Sequence, residues 1–167
     1  MAAGYAPVTE EVVRAFVSIL GPSGVTVDRE KCLAYSTDQT IPRFEEEYRA
    51  DVVCFPENTA QVSAILRYAN EHRIPVTPRG AGTGLSGGAV PACGGIVLSM
   101  ERMNAILEID KENRTLTTEP GVVTSVVTKA ARDNGLFYAG DPCSGDISFI
   151  GGNVAENAGG NKVVKYG

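Results

Sequence analysis

The chain of 167 residues is predicted to be α+β: a small βαβ unit with a parallel sheet, then the start of a second, mainly antiparallel α+β unit. Three observations predict it. The short apolar runs DVVCFP and IPVTP flank a stretch with apolar residues at helical spacing, the pattern of a right-handed parallel strand–helix–strand unit. The runs AILEID and RTLTTE alternate around Lys111-Glu112-Asn113 and read as an antiparallel hairpin. Finally, 13 of the 19 glycines fall in two windows, 80–95 and 140–160. Two such clusters separated by regular structure point to two loops converging on one ligand.

Each element follows from local chemistry. Thr9 caps a helix with the apolar face Val13, Phe16, Val17 and Leu20, stopped by Gly21-Pro22. A short strand at Val25-Thr26-Val27 and a turn of helix near Lys31–Tyr35 follow, and STDQTIPRFEEEYR lacks periodicity and reads as a loop. Residues 1–50 thus form a helical leader and loop, and the main domain spans 51–167. Its first strand, DVVCFP, ends at Pro56, and Asn58 with Gln61 three residues on resembles a capping box. The helix it opens carries Val62, Ile65, Leu66 and Ala69 on one side. IPVTP runs into the first glycine cluster, and GGIVLSM is the next apolar strand. After the hairpin, Val123, Val126, Val127 and Ala130 line a helix closed at Asn134-Gly135. The remainder reads as a loop, with no helix or strand before Gly167, so the domain is expected to be incomplete at its C-terminal end and to lack a substrate domain.

Composition excludes several classes. Hydrophobic residues at 43% and charged residues at 21% suit a folded soluble chain. A net charge of −5 offers no basic stripe, so nucleic acid is not an expected partner. No run approaches the length of a membrane span and no secretory signal stands at MAAGYAPVTEE. The four cysteines are widely spaced, without a C-x-x-C pair, which predicts reduced thiols and no zinc site.

The stretch RGAGTGLSGGAVPACGG, from Arg79 to Gly95, holds 7 glycines in 17 residues. Each glycine costs roughly 0.5–1 kcal/mol of extra chain entropy relative to alanine, so a bound ligand is the natural compensation. A P-loop fails because no G-K-[ST] follows. Gly82-Thr83-Gly84-Leu85-Ser86-Gly87 does match G-x-G-x-x-G, with Glu101 about 20 residues on. That fingerprint must open a helix, whereas AVPACGG follows here. What remains is a helix-free nest, in which successive backbone amides cradle an anion such as a diphosphate. A hydrogen bond to a charged acceptor contributes roughly 1.5–3 kcal/mol, so three or four offset the glycine cost. Arg79 adds a cation, and Thr83 and Ser86 add hydroxyls.

PRGAGTGLSGGAVP, EPGV at 119–122 and GDPCSGDISFIGGNVAENAGG at 140–160 together resemble the flavin-binding domain of FAD-linked oxidases, the family of vanillyl-alcohol oxidase and p-cresol methylhydroxylase. Within it the likeness is greatest to the glycolate oxidase flavoprotein subunit and D-lactate dehydrogenase group, and it extends from AYSTDQT to the last residue. The resemblance implies FAD as cofactor. It places Gly80, Ala81, Gly82, Thr83, Gly84 and Leu85 around the diphosphate, and Gly87 and Gly88 at the far end near the flavin. Pro120 and Gly121 match a segment beside the isoalloxazine region. Asp141, Pro142, Ser144, Gly151, Gly152, Asn153, Asn157, Ala158, Gly159 and Gly160 match the second loop. The first loop lacks the histidine by which some relatives attach FAD, so non-covalent FAD is expected. The resemblance further implies a small 2-hydroxy acid as substrate of the whole enzyme, oxidised by hydride transfer, with a quinone, cytochrome, partner subunit or oxygen as electron acceptor. The cysteine pattern and the N-terminal sequence read as those of a cytoplasmic protein, membrane association through partners being left open. Histidines and metal ligands of the family's C-terminal half lie outside this chain, so no catalytic base is assigned.

Other readings stay open. The chain is alternatively a non-catalytic nucleotide-binding fragment, an NAD-dependent enzyme, or the same fold in a UDP-sugar reductase. Arg79 either pairs with phosphates or braces the loop. Asn153 and Asn157 are either ligand contacts or turn residues. His72 reads as a solvated residue at a helix C-terminus, Glu45-Glu46-Glu47 as a solvated run rather than a metal site, and Cys143 as a filler rather than a nucleophile.

Overall fold

The first helix, α1 (Glu10–Leu20), begins where expected, with the Thr9 hydroxyl accepting from the Val12 amide. The computed structural model describes residues 4–40 and 48–166; Glu45-Glu46-Glu47 lies outside them. The buried face of α1 is Val12, Phe16 and Leu20, with Val13 and Val17 only half-buried. The expected face is rotated by about one position, because Phe16 docks edge-on against Tyr68 at a ring separation of 5.4 Å. A single 3₁₀ turn at Pro22–Gly24 leads to β1 (Val25–Thr26), and α2 (Arg29–Ala34) is capped by Asp28.

Strands β2 (Val52–Cys54), β3 (Val76–Arg79) and β4 (Ile96–Ser99) complete a four-stranded sheet of order β1-β2-β4-β3. Here β4 is parallel to both β2 and β3, and β1 is antiparallel to β2. The strand–helix–strand unit is present, but its two strands are not neighbours: β4 inserts between them. IVLS is apolar at three of its four positions and buried along its whole length, which suits a central place where both faces are covered.

Helix α3 (Thr59–Glu71) connects β2 to β3. Asn58 Oδ1 accepts from the Gln61 amide at 3.0 Å, and Gln61 Oε1 returns to the Glu57 amide at 2.7 Å. The reciprocal bond of the expected capping box is therefore shifted by one residue. Ile65 and Ala69 are buried, while Leu66 is 45% exposed and not part of the apolar face. Phe16, Val52, Cys54, Ile65, Ile96 and Leu98 form one core, so α1 and the main sheet share their apolar interior.

The second unit opens with the hairpin β5 (Ile106–Asp110) and β6 (Thr115–Thr118), antiparallel as expected. The Asp110 carboxylate accepts from the amides of Glu112 and Asn113 and shapes the turn. Helix α4 (Thr124–Asp133) buries Thr124, Val127 and Ala131 and leaves Val126 48% exposed, again one position from the expected stripe. The segment expected as irregular at the chain's end contains two short helices, α5 (Ile150–Ala155) and α6 (Val163–Tyr166). Two glycines make α5 intrinsically weak. It forms because its first amides have partners outside it: Ile150 donates to the Val122 carbonyl and Gly151 to the Pro120 carbonyl, both at 2.9 Å. All four cysteines are free thiols.

Candidate functional site

Strand β3 ends in Arg79, and from Gly80 the chain leaves the sheet without entering a helix before β4. Helix α5 approaches the same point from the second unit. A Cβ placed on Gly80 would stand 3.7 Å from Gly152 Cα, so the two glycine clusters touch. Between them lies a cleft of about 300 Å³. Its backbone wall is Gly80, Ala81, Gly82, Thr83, Gly84 and Gly88 on one side, with Gly151, Gly152 and Asn153 on the other. Pro78, Met100, Pro120, Phe149, Ala155 and Ala158 supply apolar surface, and Ser144 lines it too.

The first segment has the electrostatics of a nest. Among the described residues, none of the amides from Gly80 to Gly88 donates to a protein acceptor. Consecutive undonated N–H groups form a concavity of positive potential suited to a diphosphate. The second segment differs from expectation. The amides of Asn153, Val154, Ala155, Glu156 and Ala158 are consumed by α5 and the turn that ends it and that of Gly151 by the Pro120 carbonyl, so among the described residues Gly152 is the amide of α5 on the cleft wall without a protein acceptor.

Arg79 is buried beneath the first loop. Its Nη1 donates to the Thr37 carbonyl at 2.6 Å, and its guanidinium lies 5.5 Å from the centre of the Tyr35 ring. Burial pulls its pKa down, and the nearby Tyr35, Asp38 and Glu101 oppose that. A Cβ on Gly82 would collide with this guanidinium, and Gly82 has φ 71°. Glycine is thus required there for both conformation and space. Arg79 also lines the cleft, and its hydrogen-bonded partner, the Thr37 carbonyl, belongs to the segment beside the loop and not to the loop itself.

The acidic residue about 20 positions on, Glu101, does not serve the cleft. Its Oε2 accepts from the Tyr35 hydroxyl at 2.7 Å and from Ser99 Oγ at 3.1 Å. Burial, reinforced by that carboxylate, pushes the Tyr35 phenol up to about 12.

Several resemblance-derived positions do not line the cleft. Leu85 is 77% exposed, and Gly87, at φ 79°, shapes the loop's far end. Gly121 is buried with its Cα against the carbonyls of Met100 and Met103, a tight crossing and not a ligand wall. Asp141 pairs with Lys162 at 2.8 Å, Pro142 is buried, and Gly160 lies against the Asp141–Pro142 backbone. Gly159 faces Val163. Asn157 sits in the left-handed region at φ 51° and ends α5 as a turn residue. Asn153 is not in a turn: it lies within α5, nine-tenths buried, and its amide donates to the Thr124 hydroxyl, which also bonds Ser148.

Sequence reasoning missed Phe149, Met100 and Glu156. Phe149 precedes the second glycine pair and has no periodic partner that marks it. Glu156 hydrogen-bonds the Ser86 hydroxyl and faces Gly88, joining the two clusters across 70 residues of sequence. No local pattern encodes such a pair. His72 is exposed at the end of α3, with Nδ1 2.8 Å from the Tyr68 carbonyl and its ring stacked on Tyr68.

A helix-free glycine nest at a strand end, closed by a second glycine segment, defines a class: a domain that holds a nucleotide by bare backbone. The chain belongs to the FAD binding domain family, whose sequence profile matches residues 50–167. It is 44% identical over 160 residues to glycolate oxidase subunit GlcD of Bacillus subtilis, covering 96% of this chain and 33% of that protein. It is 42% identical to D-2-hydroxyglutarate dehydrogenase of Stutzerimonas stutzeri (90% and 32%). Against D-lactate dehydrogenase of Anaerostipes hadrus the identity is 39% (98% and 34%). The fold superposes on p-cresol methylhydroxylase with a TM-score of 0.75 at 24% identity, over 89% of this chain and 29% of that one. The chain spans about a third of the length of the curated relatives it matches. FAD is the cofactor of the family, and the residues present fit it: an undonated amide nest for a diphosphate beside an apolar wall. No helix among the described residues is long and apolar enough to cross a membrane.

Proposed function

We propose that this chain is the FAD-binding portion of a flavoprotein oxidoreductase that, as a whole protein, oxidises a small 2-hydroxy acid of the glycolate or D-lactate type. The division into a leader over 1–50 and an FAD-binding domain over 51–167 belongs to the same reading. One observation carries it: among the described residues the amides from Gly80 to Gly88 have no protein acceptor, and Gly80–Gly84 and Gly88 line a cleft that the second glycine cluster closes.

In this reading the amides of Gly80–Gly84 hold the diphosphate, Thr83 adds a hydroxyl, and Arg79 stiffens the loop from below. Phe149, Met100 and Pro120 offer the apolar surface that a flat ring system needs, and exclude water from it. Bound FAD supplies a two-electron acceptor for the hydride leaving carbon 2 of the acid. The names of the three relatives share a 2-hydroxy carboxylate, which supports the substrate class. Non-covalent FAD belongs to the same reading, because the first glycine loop contains no histidine. Electron-transfer partners and a cytoplasmic location belong to the proposal for the whole protein.

The test is a titration of the purified chain with FAD, followed by desalting. Flavin absorbance that stays with the protein is expected, and acid precipitation should release all of it into the supernatant. Free FAD at 1,000 times its dissociation constant should stabilise the fold by about 4 kcal/mol. An unchanged melting curve at high FAD sinks the reading, and tighter binding of NAD than of FAD replaces it.

A further inference from the structure

Two buried side-chain atoms have no hydrogen-bond partner among the described residues: Asp38 Oδ2 and Thr40 Oγ1. Asp38 is 5% exposed, and its other oxygen accepts from the Thr40 amide at 2.7 Å. Buried polar atoms without partners are rare in folded proteins, so each requires an explanation.

Their position supplies one. Neither residue lines the cleft, and both lie against the first glycine loop: a Cβ on Gly84 would stand 4.0 Å from Asp38 Oδ2 on one side and from the cleft-lining Glu156 Cδ on the other, and one on Gly87 would stand 3.9 Å from Thr40 Oγ1. The same segment is already tied to the loop on either side. The Gln39 amide donates to the Gly84 carbonyl at 2.9 Å, and the Thr37 carbonyl accepts from Arg79, which lies under Gly82. Among the described residues, acceptors without donors therefore stand behind a loop of donors without acceptors.

We propose that Asp38 and Thr40 are positioning residues for the cofactor, clasping the glycine loop from behind. An amide has one proton and donates in one direction. When a diphosphate takes the amides of Gly80–Gly84, the amides that follow, from Leu85 to Gly87, turn back to Asp38 Oδ2 and Thr40 Oγ1. Glycine's freedom in φ permits that alternation. Neither side chain touches the ligand; both set the direction of groups that do. This rests on the reading of the cleft as the FAD site.

The test uses the full chain, with FAD binding followed by flavin fluorescence and melting followed without ligand. Thr40→Val removes the hydroxyl at constant shape, and Thr40→Ser keeps it. Asp38→Asn keeps the shape but can offer its single oxygen to only one of the two donors. Thr40→Val and Asp38→Asn should each bind FAD at least 10-fold more weakly, while Thr40→Ser binds as the wild type does. Ligand-free Thr40→Val should melt no lower than the wild type, because its hydroxyl has no partner to lose in that state. If the wild type binds FAD and both isosteric variants bind it equally well, the clasp is wrong and the site reading stands. A ligand-free melting temperature that falls in Thr40→Val, with affinity kept, assigns these residues to ordinary structure and also overturns it. If the wild type itself fails to bind FAD, the reading of the cleft falls and the clasp with it.

Discussion

Replacing Gly152 by alanine should move stability and cofactor binding in opposite directions. Gly152 lies inside α5 and lines the cleft, and a Cβ there meets no atom within 4 Å apart from its own helix backbone and chain neighbours. Its φ is not positive, so alanine fits the backbone without strain. Exchanging glycine for alanine in a helix interior stabilises by roughly 0.5–1 kcal/mol. For a chain of this length that corresponds to a rise of about 1–4 °C in the ligand-free melting temperature. The same methyl group enters space that the cofactor needs, and overfilling a packed site costs about 1–3 kcal/mol. That converts to a loss of roughly 5- to 150-fold in FAD affinity. Differential scanning fluorimetry without ligand and a fluorescence titration with FAD read the two effects separately. A stabilised variant that binds FAD normally would refute the claim that α5 walls the cofactor site. A destabilised variant would show that Gly152 has a neighbour the structure does not place there.

Gly82→Ala should act on the fold itself. The left-handed backbone costs about 1–2 kcal/mol, and displacing the Arg79 guanidinium from the Thr37 carbonyl costs about 1.5–3 kcal/mol more, a loss that thermal melting would detect. Asn58→Ala removes the cap of α3, whose Oδ1 holds the Gln61 amide at 3.0 Å, and should lower stability by about 1 kcal/mol in urea unfolding. Burial raises the Cys54 thiol from its usual 9.0 to about 12. The folded state keeps that proton while the unfolded chain releases it, so the stabilisation is complete below pH 9 and is lost as pH climbs towards 12. The three-unit gap corresponds to about 4 kcal/mol at most, and Cys54→Ala should flatten the alkaline limb of a plot of melting temperature against pH. An alkaline limb identical in both proteins would assign that loss to other groups.

Much of the architecture was legible because it is local. Thr9 and Asn58 cap their helices with side chains three residues from the amides they hold, and the AILEID and RTLTTE alternation carries its hairpin within 13 residues. The helix faces were less exact. Leu66 and Val126 fit a stripe by spacing yet stand exposed, because an ideal stripe leaves one position of freedom that only the docking partner removes. Helix α5 was illegible: IGGNVA has poor intrinsic propensity, and the carbonyls of Pro120 and Val122 that hold its first amides lie about 30 residues earlier.

For this protein, residue order alone determined the fold class, the caps, the hairpin and the glycine run that gives up side chains to expose amides. Those depend on interactions within a few residues, where spacing and chemistry coincide. Tertiary structure alone decided that β4 separates β2 from β3, that Arg79 supports the loop from beneath, that Gly121 and Gly160 serve chain crossings, and that Asp38 and Thr40 stand behind Gly84 and Gly87. Each of these is a meeting of segments distant in sequence, and packing selects such partners by shape and unsatisfied hydrogen-bonding capacity, which no local pattern records.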